Sequence, residues 1–204
     1  MTDQELLTSL LAERSSKKGH FILASGRESQ FYIDARLTTM SPEGLSVIGR
    51  LGLAILRESG WQVDAVGGLT LGADPISYAI SHASANTAQP VRAFTVRKEA
   101  KTHGTGKLIE GPFRAGDRVV VIEDVITTGG SALRAIEAVR SNDGTVSGVL
   151  AVVDREEGGR EKLESTGVSV IALATASNIM KVLETRAGQK ESLSASSPDK
   201  RPTA

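Results

Sequence analysis

Residues 123–131, Glu-Asp-Val-Ile-Thr-Thr-Gly-Gly-Ser, set two kinds of chemistry side by side. Thr127, Thr128 and Ser131 offer hydroxyl donors, and Gly129-Gly130 lets backbone N–H groups close around an anion. A β-branched run at 119–122 precedes the stretch and a helix pattern opens at Ala132. The loop therefore ends on the unpaired N–H groups of a helix N-terminus, which attract phosphate. Glu123 and Asp124 would repel a bare phosphate. Ionised carboxylates only accept hydrogen bonds, so their task in such a site is to meet hydroxyls. A ribose-type sugar phosphate, with a phosphate and a row of hydroxyls, satisfies both halves.

Three further segments carry groups that could meet the same ligand. Residues 67–73, Gly-Gly-Leu-Thr-Leu-Gly-Ala, precede a helix signal at Pro75 and read either as a second backbone cradle or as a tight strand-to-helix turn. Residues 97–107, RKEAKTHGTGK, gather Arg97, Lys98, Lys101, His103 and Lys107 among glycines. Such a run can close over a polyanion and exclude water, although a basic run by itself is also a solvated loop. It is not a nucleotide P-loop, because Lys101 stands at the first glycine position and Leu108 where Ser or Thr is needed. It is not a dinucleotide fingerprint either, since Ile109 occupies the third glycine position. In 152–159, VVDREEGG, Arg155 ends a predicted strand, where its guanidinium suits a bidentate pair with a carboxylate or an ordinary surface ion pair.

The composition narrows the field around these loops. The chain has 204 residues, enough for one domain with a real core. Lys plus Arg and Asp plus Glu number 24 each, so there is no global positive field of the kind nucleic-acid and membrane-surface binders carry, and any cationic site is local. Cysteine is absent, which removes disulfides, thiolate metal sites and a Cys nucleophile. The three histidines form no His-x-x-x-His pair, and there is no Gly-x-Ser-x-Gly elbow. The N-terminal residues are charged throughout and read as neither signal peptide nor membrane span, so a cytoplasmic protein is expected.

The elements that must position these loops alternate. Thr2 and Glu5 form a capping box ahead of a helix to about Arg14, and apolar runs on either side of Ser25-Gly26 suggest a hairpin. Ser41-Pro42 starts a helix that Gly60 stops. Strands follow at 63–66, 91–96, 119–122, 149–153 and 168–173, with helices at 75–83, from 132, and near Lys162. Strands separated by helices predict an α/β fold with a parallel sheet covered on both faces, and ligands bind beyond the carboxyl ends of such strands. All four loops then open on one rim. Residues 187–204 hold one large apolar residue and are expected to be a disordered tail.

With those residues in view, the stretch VVVIEDVITTGGS at 119–131 resembles the phosphoribosyl pyrophosphate (PRPP) motif of the type I phosphoribosyltransferase family. Combined with FILASGRESQFYIDAR, RKEAKTHG and VVDREEGG, it is similar to the members of that family that act on orotate, from about residue 17 to 176. The resemblance implies a central mostly parallel sheet with helices on both faces and a small N-terminal hood, mainly residues 1–40, within one domain at 1–186. It implies the reaction of orotate with PRPP to orotidine 5'-monophosphate and pyrophosphate in pyrimidine biosynthesis, with magnesium (Mg2+) held through substrate and water. It also implies a homodimer in which the 97–107 loop reaches the neighbouring site.

Carried over residue by residue, Glu123 and Asp124 hold the ribose hydroxyls, and Thr127, Thr128, Gly129, Gly130 and Ser131 hold the 5-phosphate. Gly68, Leu69, Thr70, Leu71, Gly72 and Ala73 lie along pyrophosphate. Arg97 binds PRPP; Lys98, Lys101, His103 and Asp124 are the catalytic set. Tyr32 and Ile33 flank orotate, with Thr127 and Arg155 against it. The chain departs from many family members at Ala24 and Gly72, where lysines are common, so two cationic contacts are missing or supplied elsewhere. Two other readings stay open: transfer to another base, which Arg155 and the 25–34 segment disfavour, and a PRPP-binding regulator without turnover, which the intact basic loop disfavours.

Overall fold

The computed structural model describes residues 1–22, 28–99 and 108–195. Helix α1 (Asp3–Leu10) starts as its capping box requires: the Thr2 hydroxyl accepts the Glu5 N–H at 3.2 Å and the Glu5 carboxylate accepts the Thr2 N–H at 2.8 Å. A π-helical turn, Leu11–Ser15, leads into β1 (Ser16–Ile22), which pairs antiparallel with β2 (Glu28–Ile33) to form the hood ribbon. The tip expected at Ser25-Gly26 lies outside the described residues. After the short α2 (Arg36–Thr39), the Ser41 hydroxyl caps α3 (Pro42–Glu58) by accepting the Gly44 N–H at 3.1 Å.

The main body alternates strand and helix: β3 (Ala65–Leu69), α4 (Ala73–Ser84), β4 (Arg92–Val96), β5 (Ile109–Glu110), β6 (Arg118–Ile126), α5 (Gly130–Arg140), β7 (Thr145–Asp154), α6 (Gly159–Glu164), β8 (Val170–Thr175) and α7 (Ala176–Ala195). The six-stranded sheet runs β5-β4-β3-β6-β7-β8, with only β5 antiparallel to its neighbour. Along β6, Val119 and Val121 pack with the α5 and α6 side, while Val120 and Ile122 pack with α1, α3, α4 and α7. Period-two burial on both faces is why this strand reads as an unbroken apolar run.

From β3 the chain goes to β4 on one side and then returns to β6 on the other, so the topology reverses between β3 and β6. That switch point opens a crevice at the carboxyl ends, flanked by residues 70–72 and 127–129. Two expectations need correction. Strand β6 continues to Ile126, so Glu123 and Asp124 are strand residues rather than the start of a loop. The antiparallel β5 is two residues long and leaves no alternation to read. Helix α7 continues to Ala195, and its N-terminal half packs Ile179, Met180 and Leu183 on the core. Among the described residues no helix is long and apolar enough to cross a membrane.

Candidate active site

One cavity of about 380 Å³ sits on the crevice. The end of β2 and the following residues 32–36 form one wall, 69–72 another, and Glu123, Asp124, Val125, Thr127 and Ser131 the floor, with Lys98, Arg134 and Arg155 reaching in. An adjoining cradle of about 450 Å³ is lined by residues 127–131 together with Glu123, Val125 and Arg134.

The cradle is built by backbone. Gly129 caps α5 with φ +74°, and its carbonyl accepts the Leu133 N–H at 3.0 Å as the first helical bond. The N–H groups of Gly130, Ser131 and Ala132 therefore have no acceptor within the helix and face the N-terminal end. A helix end of this geometry can receive an anion.

The two carboxyls beside it behave differently. Glu123 retains 9% exposure, and burial, reinforced by the neighbouring Asp124 charge, pushes its carboxyl up to about 9. At neutral pH it is protonated and can donate a hydrogen bond, so an anion in the cradle meets less negative charge than the sequence suggests. Asp124 accepts the Val125 N–H at 2.9 Å, and its carboxyl lies over Gly72. On the 70–72 side, the Thr70 and Thr95 hydroxyls both donate to Asp74, at 2.6 and 2.8 Å, pinning the loop to β4.

At the other end, Tyr32 packs on Phe21 with ring centroids 5.4 Å apart. Asp34 accepts two hydrogen bonds from the Arg36 guanidinium, at 2.8 and 3.0 Å, which hold its carboxyl below the usual range. Arg155 is positioned by its backbone N–H, which donates to the Ile126 carbonyl at 3.0 Å. Its buried guanidinium pairs with Glu157 at 2.8 Å and reaches the Phe31 carbonyl at 3.4 Å, so it links the hood to the sheet.

The sequence-predicted residues Tyr32, Ile33, Leu69, Thr70, Leu71, Gly72, Lys98, Glu123, Asp124, Thr127, Ser131 and Arg155 thus share one cavity, and Thr128, Gly129 and Gly130 line the cradle next to it. Gly68 and Ala73 do not line it: both are buried, and a side chain on Gly68 would strike the Ile122 carbonyl. Arg97 points into a neighbouring cleft and pairs with Glu110 at 3.5 Å. Lys101, His103 and Ala24 lie outside the described residues. The sequence reading passed over Asp34, Arg36 and Arg134, which line the cavity. Arg134 follows Gly130 by one helical turn, a spacing that could have been used.

No family model matches the chain. The orotate phosphoribosyltransferase of Aquifex aeolicus is 45% identical over 183 residues, covering 88% of this chain and 99% of that protein. The Synechocystis orotate phosphoribosyltransferase is 49% identical over 180 residues, 88% of this chain and 89% of that protein. The chain belongs to the orotate phosphoribosyltransferase family. Among solved structures, the Mycobacterium tuberculosis orotate phosphoribosyltransferase in complex with PRPP matches with TM-score 0.71 and 36% identity, over 87% of this chain and 91% of that one. The complex of the same enzyme with inorganic phosphate matches with TM-score 0.75 and 40% identity, over 87% and 98%. The fold is accordingly that of type I phosphoribosyltransferases.

Proposed function

We infer that this orotate phosphoribosyltransferase family member transfers the 5-phosphoribosyl group of PRPP to orotate, giving orotidine 5'-monophosphate and pyrophosphate. The observation that carries the reading is the single cavity shared by the 127–131 cradle's edge, Asp124, Lys98 and Arg155. Those groups match a phosphate, ribose hydroxyls, an anionic leaving group and a carboxylate in turn. In the reaction a ring nitrogen of orotate gives up its proton to water or to the departing pyrophosphate and forms a bond to the anomeric carbon as the bond from that carbon to the pyrophosphate oxygen breaks. The nucleophile needs no strong protein base. Negative charge grows on the leaving group, where Lys98 can stabilise it, and Arg155 fixes the orotate carboxylate. Holding both partners in line supplies much of the remaining acceleration.

Magnesium fits as a substrate-borne ion. Among the described residues no three His, Cys, Asp or Glu side chains cluster into a cage, whereas a single carboxylate such as Asp124 suits an ion that keeps its waters and substrate phosphates. When bound, it supplies charge neutralisation at the pyrophosphate. The reading further takes the protein to be a cytoplasmic homodimer. Lys98 lines its own chain's cavity, so in this proposal the segment serving the neighbouring site begins beyond it, with Lys101 and His103. Loss of orotate absorbance on adding PRPP and magnesium to the pure protein tests the reaction; no change with orotate, or turnover of a purine instead, would replace this reading.

A further inference from the structure

The 127–131 cradle offers dipoles and hydroxyls, and among the residues lining it the only formal positive charge is on Arg134. Arg134 stands on α5 one turn after Gly130, the first helical residue. Helical side chains lean back toward the N-terminus, so a long side chain at this spacing extends over the first turn and its unpaired N–H groups. Arg134 is exposed and lines three adjoining spaces: the cradle, the main cavity, and the cleft that holds Arg97 and Lys98. It is near enough to Glu123 for its charge to act on that carboxyl. Glu137, three residues on, would be its ordinary surface partner, yet no ion pair joins them among the described residues.

We propose that Arg134 is a phosphate-binding residue of this site, its guanidinium closing the open side of the 127–131 cradle on the 5-phosphate of PRPP and of the nucleotide product. The inference rests on the function proposed above and adds a cation to a subsite otherwise made of neutral donors. A guanidinium presents a planar fork that matches two phosphate oxygens, and a dianion beside two carboxyls is where such a charge is needed.

The test separates phosphate from the rest of the ligand. Wild type, Arg134→Gln and Arg134→Lys are titrated calorimetrically with inorganic phosphate, orotidine 5'-monophosphate and orotidine, and their melting temperatures compared. Arg134→Gln should weaken phosphate and the nucleotide about tenfold or more while leaving orotidine unchanged, as loss of a charge-assisted hydrogen bond requires. Arg134→Lys should recover part of the affinity, since it keeps the charge and loses the fork. Unchanged nucleotide affinity in Arg134→Gln, equal losses for nucleotide and nucleoside, or a wild type that binds neither phosphate nor nucleotide would each overturn the proposal. Because these are binding measurements, Arg134-dependent phosphate affinity in a protein that fails to turn over orotate would sink the proposed reaction and leave Arg134 in place.

Discussion

A Cβ built on Gly72 would lie 2.5 Å from the carboxyl carbon of Asp124, so the two residues occupy one space from opposite sides of the β3–β6 switch point. Gly72 has φ −61° and ψ −41°, an ordinary helical conformation open to any residue. Its missing side chain, not its backbone freedom, is what the site uses. The carboxyl is thereby held across the 70–72 loop, the position from which the proposed function has it meet the ribose hydroxyls.

Gly72→Ala is expected to turn the Asp124 carboxyl away while leaving the backbone intact. The catalytic efficiency for PRPP should fall about tenfold or more, the loss of one charge-assisted hydrogen bond, with the melting temperature little changed. Steady-state kinetics with PRPP varied checks it; wild-type kinetics in the variant would show that Asp124 does not need this position.

Arg155→Ala should raise the KM for orotate by about tenfold or more and that for PRPP far less, because the guanidinium is assigned to the orotate carboxylate alone. Arg155 also pairs with Glu157 and contacts the Phe31 carbonyl, so some stability will be lost with it. The ratio of the two KM changes separates the roles: equal effects mean that Arg155 only holds the hood to the sheet. Wild type should use uracil, which lacks the carboxylate, poorly.

If the segment beyond Lys98 acts in the neighbouring site, two inactive variants should rescue each other. Lys101→Ala with His103→Ala removes the loop groups, and Asp124→Asn removes the core acceptor. A mixed dimer then contains one site with both lesions and one with neither, and activity should reappear after subunit exchange. Exchange is followed separately by mass; exchange without recovered activity means that the loop serves its own chain.

Much of this arrangement was legible because backbone chemistry writes itself locally. The Thr2–Glu5 box, the Ser41-Pro42 helix start and the 127–131 cradle each depend on a few neighbouring residues, and each lies where its pattern indicates. The apolar run at 119–122 marks a strand buried on both faces, but the same criterion ended the strand too early, since Glu123 and Asp124 extend it without extending the hydrophobic signal. Long-range matters were hidden. Nothing local tells that Arg97 pairs with Glu110 while Lys98 lines both the cavity and the neighbouring cleft, that Gly68 and Ala73 are buried, or that Asp34 and Arg36 close one wall. The protonation of Glu123 is likewise a property of its burial, invisible until the sheet is folded.

That protonation makes stability depend on pH in a direction opposite to the usual carboxylate. Burial first, and the Asp124 charge second, raise the Glu123 carboxyl from an ordinary 4.5 to about 9. Between those values the folded protein keeps a proton that the unfolded chain releases, so the unfolded state binds fewer protons and stability falls as pH rises. The contribution is fully present below about 4.5 and is lost as pH rises through about 9, with a slope of at most about 1.4 kcal/mol per pH unit from this one group. Glu123→Gln keeps the shape and a hydrogen-bond donor but cannot ionise, so its melting temperature should gain on wild type steadily from pH 5 to pH 9. Calorimetric melting of both proteins across that range checks the sign. A constant difference would mean that Glu123 is ionised in the folded protein at neutral pH, and that the cradle faces two negative carboxylates after all.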